Sequence, residues 1–446
     1  LGKSLPIIEN KFKNKENSEV WSTFNILAKE PSECLGAYVI SMTSAASDIL
    51  SVSFLQKEAK IKNKLRVVPL FETLDDLINA KSIMESLFSH KWYRKLINHK
   101  QEVMIGYSDS SKDAGKICAS WHQYKAQEEI VKLGKKFNIE ITFFHGRGGS
   151  AGRGGGPIQA TMRSLPPNSV NGRIRITDQG EVIQQKYGYE PLAKYNLCSY
   201  IGAVSEASLN PPPQPKDSWR ALIEKMAEIS KSSYRKNINQ SSDFIKYFKT
   251  VTPHVSLGKL SIGSRPSKRK NVDNIQSLRA IPWIFAWTQI RLMLPAWLGS
   301  AEALRYANIK EFRKTLYDME RNWPFFNSML DILDMVISKV DPNVSKIYEE
   351  YLADEKLKRV GKRLRFQFDV IKKLNKEITP NEISKLRKQF RTSIIVRNIY
   401  SEILNIIQPI VIKKIKTIKN KVDKKYLNDA LLTSIAGISA AMKNTG

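Results

Sequence analysis

Three short apolar runs do most to restrict how this chain can fold. Leu65–Phe71 (LRVVPLF) ends at Glu72, Glu102–Gly106 (EVMIG) runs into Tyr107, Ser108 and Asp109, and Ile139–Phe144 (IEITFF) runs into His145 and a glycine-rich loop. Each has the length and composition of a parallel strand buried beneath helices, and each delivers reactive side chains just past its C-terminal end. A (β/α)8 barrel builds its active site from those positions, because its strands all point one way and the loops after them converge on one face. A fourth run, Arg173–Thr177 (RIRIT), precedes Asp178, Gln179, Gly180 and Glu181 in the same way. The alternation of strand and helix patterns predicts an α/β, helix-rich chain.

Past Pro211 the pattern changes. The segment Asn210–Pro215 (NPPPQP) reads as a rigid loop, and beyond it apolar residues recur at helical spacing in Arg279–Leu304, Arg313–Val340, Val344–Leu374, Asn381–Ile407 and Leu427–Met442. Residues 1–210 are therefore read as strands and active-site loops, and 211–446 as a mainly helical remainder.

A net charge of +29, from 72 basic and 43 acidic residues, raises the question of a nucleic-acid partner. The basic residues are 50 Lys and only 22 Arg, spread along the whole chain, whereas nucleic-acid readers gather Arg with aromatics on one face. The charge is thus read as solvated surface. Lys413–Lys425, its densest run, alternates Lys with Ile as an amphipathic helix with a wet basic face would. Cys34, Cys118 and Cys198 have neither metal-ligand spacing nor the number for a disulfide framework, which points to a reducing cytoplasm. Ala280–Leu298, the most apolar stretch, is broken by Pro282, Arg291 and Pro295, and the first thirty residues lack the apolar core of a signal peptide. A soluble protein without a membrane partner is expected.

The eleven residues Gly146–Gly156 hold seven of the chain's 22 glycines together with Arg147 and Arg153. Glycine lets backbone amides gather around an anion, and each guanidinium offers a bidentate fork to phosphate or carboxylate oxygens. A structural loop, or an RGG-type RNA-binding tract, is the competing reading. RGG tracts sit in long low-complexity segments, while this loop lies between a strand and Pro157, which favours anion handling. Glu72 and Asp109, at strand ends, form a pair of hard oxygen ligands for magnesium or manganese, or alternatively helix caps. Lys112, three residues after Asp109, can meet a developing negative charge. Arg265 and Arg279 flank a turn-rich segment and the start of a Trp-rich helix, and His145 is the one histidine of five beside a motif.

These blocks resemble phosphoenolpyruvate carboxylase. VMIGYSDSSKDAG, FFHGRGGSAGRGGGP, GSRPSKRK, RAIPWIFAWTQIRLMLPAWLG and the terminal MKNTG are similar to that family in content and order, and LGAYVISM and LRVVPLFETLDDL extend the likeness nearly to the N-terminus. The resemblance implies the C-terminal part of a (β/α)8 TIM-type barrel with many additional helices. It also implies the carboxylation of phosphoenolpyruvate by bicarbonate, through carboxyphosphate and the enolate of pyruvate, to oxaloacetate and phosphate. By the same resemblance Glu72 and Asp109 bind Mg2+ or Mn2+, Arg147 and Arg279 grip the substrate phosphate, Lys112 is the catalytic lysine, and His145 and Arg265 line the pocket. Arg153, Lys339, Arg397 and Asn444 match positions that hold an aspartate inhibitor in feedback-regulated members, so inhibitor binding would still the glycine loop. The complete enzyme is implied to be a homotetramer.

One departure matters. The family's N-terminal half carries a catalytic histidine in a Thr-Ala-His-Pro-Thr-Glu block, and none of the five histidines here lies in such a block. The expectation is a C-terminal fragment, or one product of a split or decayed gene, inactive without its missing N-terminal half. A basic nucleic-acid-binding protein using the GRGG loop is the rival from another class.

Overall fold

In the computed structural model, residues 15–146, 158–178, 180–239, 242–257, 280–379 and 385–442 are described. The expected strands form with small shifts of boundary: β2 is Arg66–Phe71, β3 Lys100–Gly106, β4 Glu140–Gly146 and β5 Arg175–Ile176, and a strand not anticipated, β1, spans Ala37–Ile40. All pair in parallel, in the order β1-β2-β3-β4-β5. Strands that follow one another in chain order without reversal need every crossover on the same face. Accordingly the crossover helices Ala46–Glu58, Leu74–Ser89 and Lys116–Phe137 pack side by side. The helix Leu74–Ser89 starts where Thr73 accepts the Asp76 N–H at 3.2 Å and Asp76 accepts the Thr73 N–H at 3.0 Å, a capping box that stabilises by about 1 kcal/mol.

Alternation along the strands separates two faces. Phe71, Val103, Ile105 and Phe143 point into the helices and share a core with Leu77, Met84, Ile130 and Leu133. The opposite face carries Arg66, Glu102 and Arg175. Glu102 is buried and accepts from Arg66 at 3.1 Å and from Arg175 at 2.8 Å, while the Arg175 guanidinium lies 4.3 Å from the centre of the Phe144 ring.

A larger core joins this layer to the helical part. Trp121 and Tyr124 stand on the last crossover helix, and Trp219, Trp323 and Phe325 come from 217–325. They stack at centroid separations of 4.7–6.2 Å, with Trp219 and Trp323 nearly parallel. Gly299, at φ 82°, lets its chain approach the helix Asp217–Asn239, because a Cβ there would lie 2.5 Å from the Ser230 carbonyl oxygen.

Several long helices expected from periodicity are divided. Arg279–Leu304 becomes Ala280–Gln289, a turn with Arg291 and Met293 at positive φ, a short 3-10 segment and Ser300–Ala307. Arg313–Val340 is cut at Pro324, and Val344–Leu374 becomes Pro342–Leu352 and Glu355–Ile378. The basic run Lys413–Lys425 is likewise not one helix: Lys385–Thr417 ends, and Lys421–Met442 begins after three residues. Apolar periodicity continues through each break because the pieces on either side face the same core, so periodicity cannot reveal the interruption.

Candidate active site

The site grows from the C-terminal ends of β1, β2, β3 and β4. Glu72 follows β2 and is buried at 2 % exposure; its Oε1 accepts the backbone N–H of Met42, just past β1, at 3.1 Å. Met42 holds φ at 54°, a conformation costly for a residue with a side chain, and that conformation aims its amide at the carboxylate. Between β2 and β3, Leu70 pairs with Met104 and Phe71 with Ile105, so Glu72 falls opposite Gly106. A Cβ on Gly106 would lie 2.6 Å from the Glu72 Cβ and 2.8 Å from its Cα. Only glycine permits this approach.

Beyond Gly106 the chain turns through Tyr107 into the helix Ser108–Ala114, with Asp109 in the first turn and Lys112 in the last. Residues three apart share a helix face, so the carboxylate and the ammonium stand together. The helix is fixed from several sides. Ser110 Oγ donates to the Gly106 carbonyl at 3.0 Å, Gln123 Nε2 donates to Ser110 Oγ at 2.8 Å, and Tyr234 O–H donates to the Lys112 carbonyl at 2.8 Å. Asp113 accepts from Arg235 at 2.9 Å and from the Leu74 N–H at 3.2 Å, tying this helix to the one that follows Glu72. At the end of β4, His145 is buried at 1 % exposure and its Nδ1 is joined to the Tyr107 hydroxyl by a 2.8 Å hydrogen bond.

Two carboxylates at adjacent strand ends make a hard-oxygen donor set that suits Mg2+ or Mn2+, which take one or two protein carboxylates and complete their shell with water and substrate phosphate. Among the described residues, here or elsewhere, no group of three or more His, Cys, Asp or Glu side chains comes together.

A second cationic group forms some way along the chain. Lys339, buried at the end of the helix Pro324–Lys339, donates its Nζ to the Met442 carbonyl at 2.9 Å, and Arg397 Nη1 donates to the Ala441 carbonyl at 2.6 Å. Both cations therefore meet the last turn of the helix Lys421–Met442. Beneath them Arg291 is fully buried and donates to the Lys339 carbonyl at 3.0 Å, Ser401 Oγ at 3.2 Å and Asn398 Oδ1 at 3.1 Å. Burial lowers the pKa of both Arg291 and Arg397 from the usual arginine value.

The structure thus puts Glu72, Asp109, Lys112 and His145 on the end of one sheet, and brings Lys339 and Arg397 together on one helix terminus. Arg147, Arg153, Arg265, Arg279 and Asn444 lie outside the described residues. Sequence reading missed the parts played by Met42, Gly106 and Asp113. A glycine directly before a turn was a usable signal for Gly106; the left-handed backbone of a methionine has none. Of the remaining histidines, His90 stands between two helices, His99 in the turn before β3 and His254 in a short helix, while His122 is partly buried and burial lowers its pKa.

The family model of phosphoenolpyruvate carboxylase matches residues 1–446. The chain is 47 % identical over 443 residues to the phosphoenolpyruvate carboxylase of Shewanella sediminis, covering 99 % of this chain and 50 % of that protein. It is 46 % identical to that of Acinetobacter baumannii, covering 96 % of this chain and 48 % of the relative, and 43 % identical to phosphoenolpyruvate carboxylase 3 of Arabidopsis thaliana, covering 97 % and 48 %. The chain spans about half the length of the curated relatives it matches. With the strand-end carboxylates, the lysine one turn on and a whole-length match in agreement, the chain belongs to the phosphoenolpyruvate carboxylase family.

Proposed function

We propose that this chain supplies the metal, phosphate and inhibitor sites for the carboxylation of phosphoenolpyruvate by bicarbonate to oxaloacetate and phosphate. The observation that carries the reading is the delivery of Glu72 and Asp109 to the ends of two paired parallel strands, with Lys112 one helical turn beyond Asp109. We read residues 1–210 as the C-terminal strands and loops of a (β/α)8 barrel, which the sequential parallel order supports, and 211–446 as the helical remainder.

Glu72 and Asp109 would hold Mg2+ or Mn2+, and the cation, when bound, offsets negative charge on the phosphate and enolate oxygens. The Met42 amide donates to the Glu72 carboxylate and so orients it without exchanging a proton with it. Lys112 faces the same strand end as a fixed positive charge for the anion that develops as the phosphoryl group leaves. The hydrogen bond between the Tyr107 hydroxyl and His145 Nδ1 fixes the orientation of the imidazole ring at the end of β4. Arg147 and Arg279, by family likeness, grip the phosphate, and Arg265 lines the pocket. Lys339 and Arg397 serve an aspartate inhibitor with Arg153 and Asn444; their convergence on one helix terminus supports this.

The family's histidine block is supplied by the other half of its members' length, so carboxylation requires that half, and the whole enzyme is read as a cytoplasmic homotetramer. The test is an assay of oxaloacetate formation by the purified chain, alone and mixed with the N-terminal half of a close relative, with phosphoenolpyruvate, bicarbonate and Mg2+. The chain alone should be silent and the mixture active, with Glu72→Gln silent in both. Product from the chain alone would remove the need for the histidine block. A silent mixture would remove the split-enzyme reading.

A further inference from the structure

The turn that follows β2 offers three successive backbone N–H groups, and they are taken by different parts of the chain. Asp76, in the helix that this turn begins, accepts from Glu72 at 3.1 Å and from Thr73 at 3.0 Å. Leu74 is buried, and its N–H is accepted at 3.2 Å by Oδ2 of Asp113, in the helix that carries Asp109. Leu74 lies two residues past Glu72, and Asp113 stands one turn past Asp109 on the same face of its helix. The bond between them is therefore a second tie between the two carboxylate positions, beside the pairing of Phe71 with Ile105 in the ladder. Asp113 is itself held from the helical part of the chain. Arg235, in the helix Asp217–Asn239, donates Nη2 to Asp113 Oδ1 at 2.9 Å and Nε to the Asp113 carbonyl at 3.3 Å, which leaves Oδ2 turned to Leu74.

The Arg235 and Asp113 side chains remain 41 % and 36 % exposed, and an ion pair so open to water adds little to stability. What the pair does supply is direction, because a guanidinium that meets both the carboxylate and the carbonyl of one residue restricts that residue to one rotamer. Direction matters here: Mg2+ demands near-octahedral geometry, and a functional constellation needs its groups held within about 0.5 Å. We infer that Asp113, held by Arg235, is a positioning residue for the metal, fixing the separation of Glu72 and Asp109 through the Leu74 amide. The inference rests on the metal reading above and adds to it the residue that sets the spacing of the two ligands. It also makes that spacing depend on residue 235, in the helical part of the chain, so the helical part shapes the strand-end site as well as covering it.

The test is titration of the full 446-residue chain with Mn2+, read from the electron paramagnetic resonance signal of the free ion, with the thermal midpoint of each protein recorded without metal. The proteins are the wild type, Glu72→Gln, Asp113→Ala, Arg235→Ala, Arg235→Lys and Asp318→Asn. Removing a residue that holds a metal ligand in place commonly costs about 10- to 100-fold in affinity, so Asp113→Ala should weaken Mn2+ binding by at least about tenfold. Arg235→Ala should weaken it less, Arg235→Lys should recover most of that loss, and Asp318→Asn, which breaks the ion pair with Lys216 elsewhere, should bind Mn2+ like the wild type. If Asp113→Ala lowers the midpoint but binds Mn2+ like the wild type while Glu72→Gln does not, Asp113 serves the fold alone: the inference is overturned and the metal reading stands. Should Asp113→Ala not fold, equal affinities in Arg235→Ala and the wild type overturn it instead. If the wild type binds no Mn2+, or Glu72→Gln binds it equally well, the metal reading falls and this inference with it.

Discussion

At Gly106 the absence of a side chain is what lets the β3 end and Glu72 lie side by side, since an added Cβ would sit 2.6 Å from the Glu72 Cβ. Gly106→Ala should therefore push Glu72 out of line and weaken Mg2+ binding at least tenfold in a calorimetric titration, while costing about 1–3 kcal/mol in urea unfolding by overpacking. Glu72→Gln should lose Mg2+ binding as well but leave the unfolding midpoint closer to wild type, because the amide keeps the shape and still accepts the Met42 N–H. Equal unfolding losses in the two variants would show that the carboxylate is held for stability and not for the metal. A comparable crowding occurs at Gly361, where any Cβ would overlap the carboxylate of Glu349. That carboxylate is buried, accepts from Tyr247 O–H at 2.7 Å and pairs with Arg365. Breaking a buried pair by removing one partner costs about 3–5 kcal/mol, so Glu349→Ala should lower stability by that much in denaturant titration.

At the scale of elements, the helices Asp217–Asn239 and Arg313–Asn322 are pinned by one carboxylate. Asp318 accepts from Lys216 at 2.7 Å, Trp219 Nε1 at 2.8 Å and Asn322 at 2.7 Å, and these bonds, led by that from Lys216, bring its pKa down to about 2. A carboxylate whose folded pKa lies below its unfolded value of about 3.9 adds stability that is full above the unfolded pKa and disappears as pH falls through the folded one. The contribution of Asp318 should thus be lost between about pH 4 and pH 2, and Asp318→Asn should flatten the pH dependence of the thermal midpoint in that window; an unchanged slope would remove the assignment. The division of the helix expected at Arg279–Leu304 belongs to this scale too. Breaking it at Arg291 frees a guanidinium to tie the end of the helix Pro324–Lys339 to the middle of the helix Lys385–Thr417, which a continuous helix would not do.

For the whole molecule, two features bear on how the chain behaves alone. The sheet buries one face under helices, while the other presents Arg66 and Arg175, partly exposed, around Glu102. Parallel sheets are ordinarily covered on both faces. In addition the helix Lys385–Thr417 exposes Ile395, Ile399 and Ile403 at four-residue spacing, with 57–67 % of each accessible. Contiguous apolar stripes of this kind promote association. The purified chain should sediment above its 50.9 kDa monomer mass as concentration rises, and the pair Ile399→Lys and Ile403→Lys should reduce that, whereas a monodisperse wild-type monomer would count against the stripe as the cause. No described helix is long and apolar enough to cross a membrane.

Sequence alone determined four of the five parallel strands, the residues just past their ends and the family. Short apolar runs and local motifs are encoded by neighbours in the chain, and a glycine- and arginine-rich loop between strands reads directly. Tertiary structure decided what depends on distant segments: that Met42 orients Glu72, that Asp113 ties two strand-end helices together, and that Arg291 joins the Lys339 carbonyl to the helix that carries Arg397. Those contacts join residues 30 to 110 positions apart, and no local period or motif records which side chains will meet once the crossovers and helices have packed.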